Sequence, residues 1–117
     1  MKTLLEEVLR RLPGALGAAV VGLDGVPVEQ VSAGDYFNIE LASAEGIGVV
    51  RRANASQIAP SDDPLEELVL SRGPHLTILR SLGPDYYLCL VVGSSAIPGQ
   101  ARFEAWRAGH RLREAVR

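Results

Sequence analysis

Apolar residues recur at helical spacing over residues 2–12, where Leu4, Leu5, Val8, Leu9 and Leu12 form one stripe and Glu6, Glu7, Arg10 and Arg11 fall outside it. This predicts a first helix, with Thr3 and Glu6 as a capping box and Pro13-Gly14 as its stop. The pattern then changes to a continuous apolar run, Ala18-Ala19-Val20-Val21-Gly22-Leu23, which predicts a strand. Asp24-Gly25 is a tight-turn signal, and Val26–Val31 reads as the returning strand, with Pro27 near its start where a missing amide costs least. Three further strands are predicted at Leu65–Arg72, Leu76–Leu82 and Tyr86–Val92, separated by Gly73-Pro74 and Gly83-Pro84-Asp85. A final helix is predicted over Pro98–Val116, with Phe103, Trp106, His110 and Leu112 near one face.

The stretch between the second and third strands predicts a long helix from Asp35, as N-cap, to Ile58, with Pro60 and the cluster Ser61-Asp62-Asp63-Pro64 marking its exit. About 24 residues at roughly 1.5 Å each would span about 36 Å. Its apolar positions divide into two arcs. Tyr36, Ile39, Ala42, Ser43, Gly46, Ile47, Val50 and Ala53 form the first; Phe37, Leu41, Ala44, Gly48 and Ala55 form the second. Each internal glycine, Gly46 and Gly48, costs about 1 kcal/mol against alanine, so something should offset that cost. One arc can dock on the chain's own sheet. The second, narrow and built of small residues, would let another helix approach closely, which predicts a two-fold dimer through Phe37, Leu41, Ala44, Gly48 and Ala55. A single broad stripe on a monomer is the alternative reading of the same periodicity.

Short connections favour hairpins and a mainly antiparallel sheet. The first and last strands are apolar at both parities, which requires cover on both faces. The expected fold is therefore α/β (α+β): one domain spanning 1–117, with a central five-stranded sheet in a three-layer α/β/α arrangement and element order α-β-β-α-β-β-β-α. The terminal helices would cover one face and the long helix the other.

Composition narrows the function classes. Of 117 residues, 47% are hydrophobic and 22% charged, an ordinary globular balance, and the net charge of -2 lacks the basic surplus expected of a nucleic-acid binder. The first residues carry acids where a signal peptide needs an apolar stretch, and no apolar run approaches the roughly 20 residues that span a bilayer. No membrane insertion and a cytoplasmic location are expected. The single cysteine, Cys89, lies within an apolar strand and reads as a buried, inert thiol.

Catalytic constellations are not evident. His75 and His110 are far apart in sequence and lack cysteines or acids at metal-ligand spacing, so neither metal nor cofactor is expected; His110 reads as partly buried beside Trp106. The acid pairs Glu6-Glu7, Asp62-Asp63 and Glu66-Glu67 are sequence neighbours, which point apart on a helix or strand. Arg51 and Arg52 lie on a predicted helix, whereas an arginine finger normally sits on a mobile loop. A non-enzymatic protein is expected.

Several segments resemble the Roadblock (dynein light chain) family, in its bacterial single-domain form. They are Leu5-Glu6-Glu7-Val8-Leu9, the strand ending in Gly22-Leu23-Asp24-Gly25, the long middle helix with its alanines and glycines, and Leu76-Thr77-Ile78-Leu79 with Tyr87-Leu88-Cys89-Leu90-Val91-Val92. The similarity covers about residues 2–116, and the profilin-like and longin folds share parts of it. The resemblance implies a homodimer in which middle helices pair and third strands join the two sheets. It further implies a regulatory or adaptor role through a small Ras-like GTPase. The positions where such a partner would dock correspond to Asn38, Glu45, Arg52 and Ser56. The adjacent acids Glu66 and Glu67 depart from what an edge strand used for pairing would carry. The competing expectation is a small-molecule sensor domain, which would need a pocket with a few convergent polar groups.

Overall fold

In a computed structural model, which describes residues 1–34, 36–56 and 63–116, three helices and five strands follow the expected order. They are α1 (Lys2–Arg11), β1 (Ala15–Gly22), β2 (Pro27–Ser32), α2 (Ile39–Asn54), β3 (Glu67–Arg72), β4 (His75–Ser81), β5 (Tyr86–Val92) and α3 (Pro98–Ala115). The sheet is antiparallel at every pairing, in the order β2-β1-β5-β4-β3, so the two most apolar strands occupy its middle. Side-chain alternation on those strands feeds two separate cores. Ala18, Val20, Leu88 and Leu90 face α1 and α3, where Leu5, Val8 and Leu112 meet them. Ala19, Val21, Tyr87, Cys89 and Val91 face α2, where Ile39, Ile47 and Val50 close the second core. Strands apolar at both parities thus lie between helical layers on both sides.

Local chemistry sets several boundaries. Gly25 has φ +85°, a region cheap only for glycine, and the Asp24 carboxylate accepts from Val26 N at 3.0 Å to close the β1–β2 turn. The capping box expected at Thr3 does not form. Leu5 N already donates to the Met1 carbonyl at 3.3 Å, so the helical ladder begins ahead of Thr3, and burial of Leu5 and Val8 sets the helix without a side-chain cap. The first strand starts at Ala15, earlier than its apolar run, because Gly14 and Gly93 link the ends of β1 and β5 through a 2.8 Å backbone bond.

Two expectations are corrected more substantially. The middle helix is 16 residues long, beginning at Ile39 and ending at Asn54. Its cap is Asn38, whose Oδ1 accepts from Leu41 N at 2.9 Å; Asp35, Ile58, Pro60, Ser61 and Asp62 lie outside the described residues. Tyr36 therefore precedes the helix and is fully exposed instead of joining the core arc. On α3, Leu112 is buried, but Phe103, Trp106 and His110 point outward. Ala101, Ala105, Ala108 and Gly109 occupy the inner face, because small residues let the helix lie close to the sheet.

Candidate interaction surface on helix α2

Two features fix how α2 is seated. Ile39, Ser43, Gly46, Ile47 and Val50 form its buried side, and a Cβ added at Gly46 would sit 2.8 Å from Leu79 Cδ1. Gly46 is thus a contact residue with the chain's own sheet. Gly48 is different: a Cβ there would meet nothing within 4 Å among the described residues. The helix carries Glu40 in its first turn and Arg51 and Arg52 in its last, both favourable to the helix dipole.

The outward side brings together most of the residues of the second arc. Leu41 is 55% exposed, and Ala44 and Gly48 are exposed beside it along the helix. Ala55 is exposed but belongs to the C-cap, beyond the last helical residue. Phe37 is placed apart from these. It is half-buried, packs against the α2-side core and meets the His75 ring edge-on at 5.8 Å. Asn38, Glu45, Arg52 and Ser56 are all exposed, with the Asn38 side chain committed to the helix cap.

Beside this ridge runs a groove of about 610 Å³ between α2 and the β3–β4 hairpin. Leu41 and Val49 form its helix wall. Its floor follows from strand register, which sets Leu70 opposite Thr77 and Thr77 opposite Val91. Val49, 38% exposed, was not among the residues expected to matter; its eight-residue spacing from Leu41 was the available signal. The groove floor had no such signal, because it depends on register between separate strands.

Under the helix, Ser43 and Cys89 are both fully buried. Burial pushes the Cys89 thiol up to about 11, partly opposed by the Ser43 hydroxyl. The Ser43 Oγ itself completes no hydrogen bond of full geometry among the described residues. A thiol held protonated and out of reach is a packing group. His110 is exposed, in contrast to the partial burial expected, with its Nδ1 2.9 Å from the Trp106 carbonyl oxygen. Among the described residues, no group of three or more His, Cys, Asp or Glu side chains could hold a metal, and no helix is long and apolar enough to cross a membrane.

The acid pair at β3 resolves simply. Glu66 precedes the strand, and Glu67 reaches Arg80 across the ladder at 3.4 Å and Arg102 of α3 at 2.6 Å.

No protein-family model and no curated protein matches the chain. Solved structures do. A Roadblock/LC7 domain from Streptomyces avermitilis superposes with a TM-score of 0.84 at 16% identity, covering 99% of this chain and 97% of that one. The gliding protein MglB from Thermus thermophilus gives 0.84 at 20% identity over 96% of this chain and 84% of its own. Acanthamoeba castellanii profilin IA gives 0.65 at 16% identity, covering 99% and 98%. The chain has the Roadblock/LC7 fold, with profilin as a more distant structural neighbour.

Proposed function

We propose that this chain acts as a single non-catalytic domain, a dimeric regulator or adaptor that pairs through the outer ridge of α2 and binds a small Ras-like GTPase. The observation that carries the dimer is Gly48. Gly46 is explained by its contact with Leu79, whereas nothing among the described residues occupies the space beside Gly48, so its helix cost of about 1 kcal/mol has no return among them. A second copy of α2, brought close over Gly48 and Ala44 and covering Leu41, supplies one. The small-residue surface suits close helix approach, and two-fold pairing is the commonest oligomer symmetry. The pairing would use Phe37 and Ala55 at its ends, leaving Asn38, Glu45, Arg52 and Ser56 around the helix pair for the GTPase. The GTPase itself enters from the resemblance to Roadblock proteins and from the shared fold, and the cytoplasm is the proposed place of action.

Size-exclusion chromatography with light scattering tests the pairing. Wild-type protein is expected at twice the 12.5 kDa chain mass at micromolar concentration, and Leu41→Glu at the chain mass. A wild-type monomer would end the dimer reading. For the partner, co-elution with a GTP-loaded Ras-like GTPase, and none with its GDP form, is the expected result. A ligand sensor would instead use the groove beside α2. A thermal shift with a metabolite, abolished by filling that groove with Thr77→Trp and absent with any GTPase, would favour the sensor.

A further inference from the structure

We propose that the outward face of α3 is a second docking surface, separate from α2, for an acidic amphipathic helix of a partner protein. Phe103 and Trp106 remain 54% and 45% exposed, on the far side of the sheet from α2, with Ile97 at the head of the helix 58% exposed. The rings form one continuous ridge. Phe103 and Trp106 centroids are 6.0 Å apart, and Trp106 and His110 centroids 4.4 Å apart. Nothing among the described residues covers this ridge, and the inner face of α3 is already filled by Ala101, Ala105, Ala108 and Leu112.

Charge identifies the occupant. Helices α1 and α3 carry seven basic residues against four acidic ones, while the rest of the chain carries five against ten. A chain of net charge -2 therefore presents a positive layer on one side. Three of the carboxylates that pair with this layer each serve two arginines. Glu7, Glu67 and Glu104 are shared among five guanidinium groups, and Arg102 and Arg111, on opposite flanks of the ridge, stay 58% and 59% exposed despite their pairs. An aromatic centre with an arginine rim is the composition of a protein-interface hot spot. The matching surface is an apolar helix face edged by carboxylates, which arginine can grip in two-pronged fashion.

Trp106 is the single tryptophan, so its fluorescence reports on this face alone. The probe is a helical peptide of roughly 18 residues, five turns, with a leucine stripe flanked by glutamates. Its titration is expected to shift Trp106 emission to the blue, with affinity falling about tenfold in Phe103→Ala, in Arg102→Gln/Arg111→Gln, and in raised salt. All three positions are exposed, and far-ultraviolet dichroism checks that each variant folds. An unchanged spectrum at millimolar peptide overturns the proposal. So does an equal response to the same peptide with lysines replacing glutamates, which would mean unselective stickiness. A shift seen only with phosphatidylglycerol vesicles assigns the face to a lipid surface and also overturns it. Because the ridge and α2 lie on opposite faces of the sheet, Leu41→Glu leaves this titration unchanged, which separates its failure from that of the dimer.

Discussion

Gly46 of α2 stands so close to Leu79 of β4 that an added methyl group would lie 2.8 Å from Leu79 Cδ1 and 3.0 Å from Cδ2. Leu79 is completely buried, so its side chain has little room to yield. Alanine at 46 would gain about 1 kcal/mol in helix propensity and lose about 1–3 kcal/mol to overpacking. Gly46→Ala is therefore expected to lower stability by about 1 kcal/mol, read from the urea midpoint. A rise in the midpoint would show that α2 does not rest on Leu79 in solution.

Gly48 lies on the opposite side of the same helix, with no described residue within 4 Å of an added Cβ, so Gly48→Ala should behave in the reverse sense. In dilute protein it is expected to stabilise the chain by about 0.5–1 kcal/mol through the helix backbone alone. If α2 pairs with a second copy over this glycine, the same methyl group holds the helices apart and weakens association. Denaturation at several protein concentrations separates the two effects. A variant that is stabilised equally at all concentrations would place Gly48 outside any contact.

These two glycines show what could be read from the chain and what could not. Periodicity assigned Gly46 and Gly48 to different arcs, which is where the structure has them, because 100° per residue fixes a helix face regardless of its neighbours. The strand Tyr86–Val92 was equally legible, being a bounded apolar run. The helix start is hidden from periodicity because Tyr36 and Phe37 continue the apolar period upstream, whereas Asn38, three residues before Leu41, carries the capping signal. On α3, periodicity sets Phe103, Trp106 and His110 near the same face as Leu112, whereas only Leu112 is buried. The core there is a row of alanines, and the volume available between helix and sheet is a tertiary quantity that no single segment encodes. The groove beside α2 depended on the register of Leu70, Thr77 and Val91, which lie on three strands.

Tyr87 anchors the entry to the hairpin that bounds that groove. Its ring is fully buried under α2, and its hydroxyl donates to the Leu65 carbonyl just ahead of β3. Tyr87→Phe keeps the ring and removes the donor, leaving the carbonyl without it. The expected cost is about 1 kcal/mol, with faster amide exchange concentrated around residues 65–68. Loss spread evenly over the sheet would contradict a local anchoring role.

Cys89 gives the fold an alkaline limit. Its thiol is raised by burial from 9.0 to about 11 in the folded chain, with the Ser43 hydroxyl acting in the opposite direction. Below pH 9 the thiol is protonated in both folded and unfolded chains, so it contributes no pH dependence. Between pH 9 and 11 the unfolded chain loses this proton while the folded chain retains it, so stability falls with rising pH by up to roughly 3 kcal/mol. Above the folded value both forms are ionised and the loss levels off. Cys89→Ala removes this titration, at the cost of a small cavity felt equally at every pH. The measurement is the difference in unfolding free energy between wild type and Cys89→Ala across pH 8 to 11. The wild-type advantage should hold to about pH 9 and then fall by up to roughly 3 kcal/mol towards pH 11, reversing sign once the fall exceeds the cavity cost; a constant difference would mean that Cys89 titrates alike in the folded and unfolded chains.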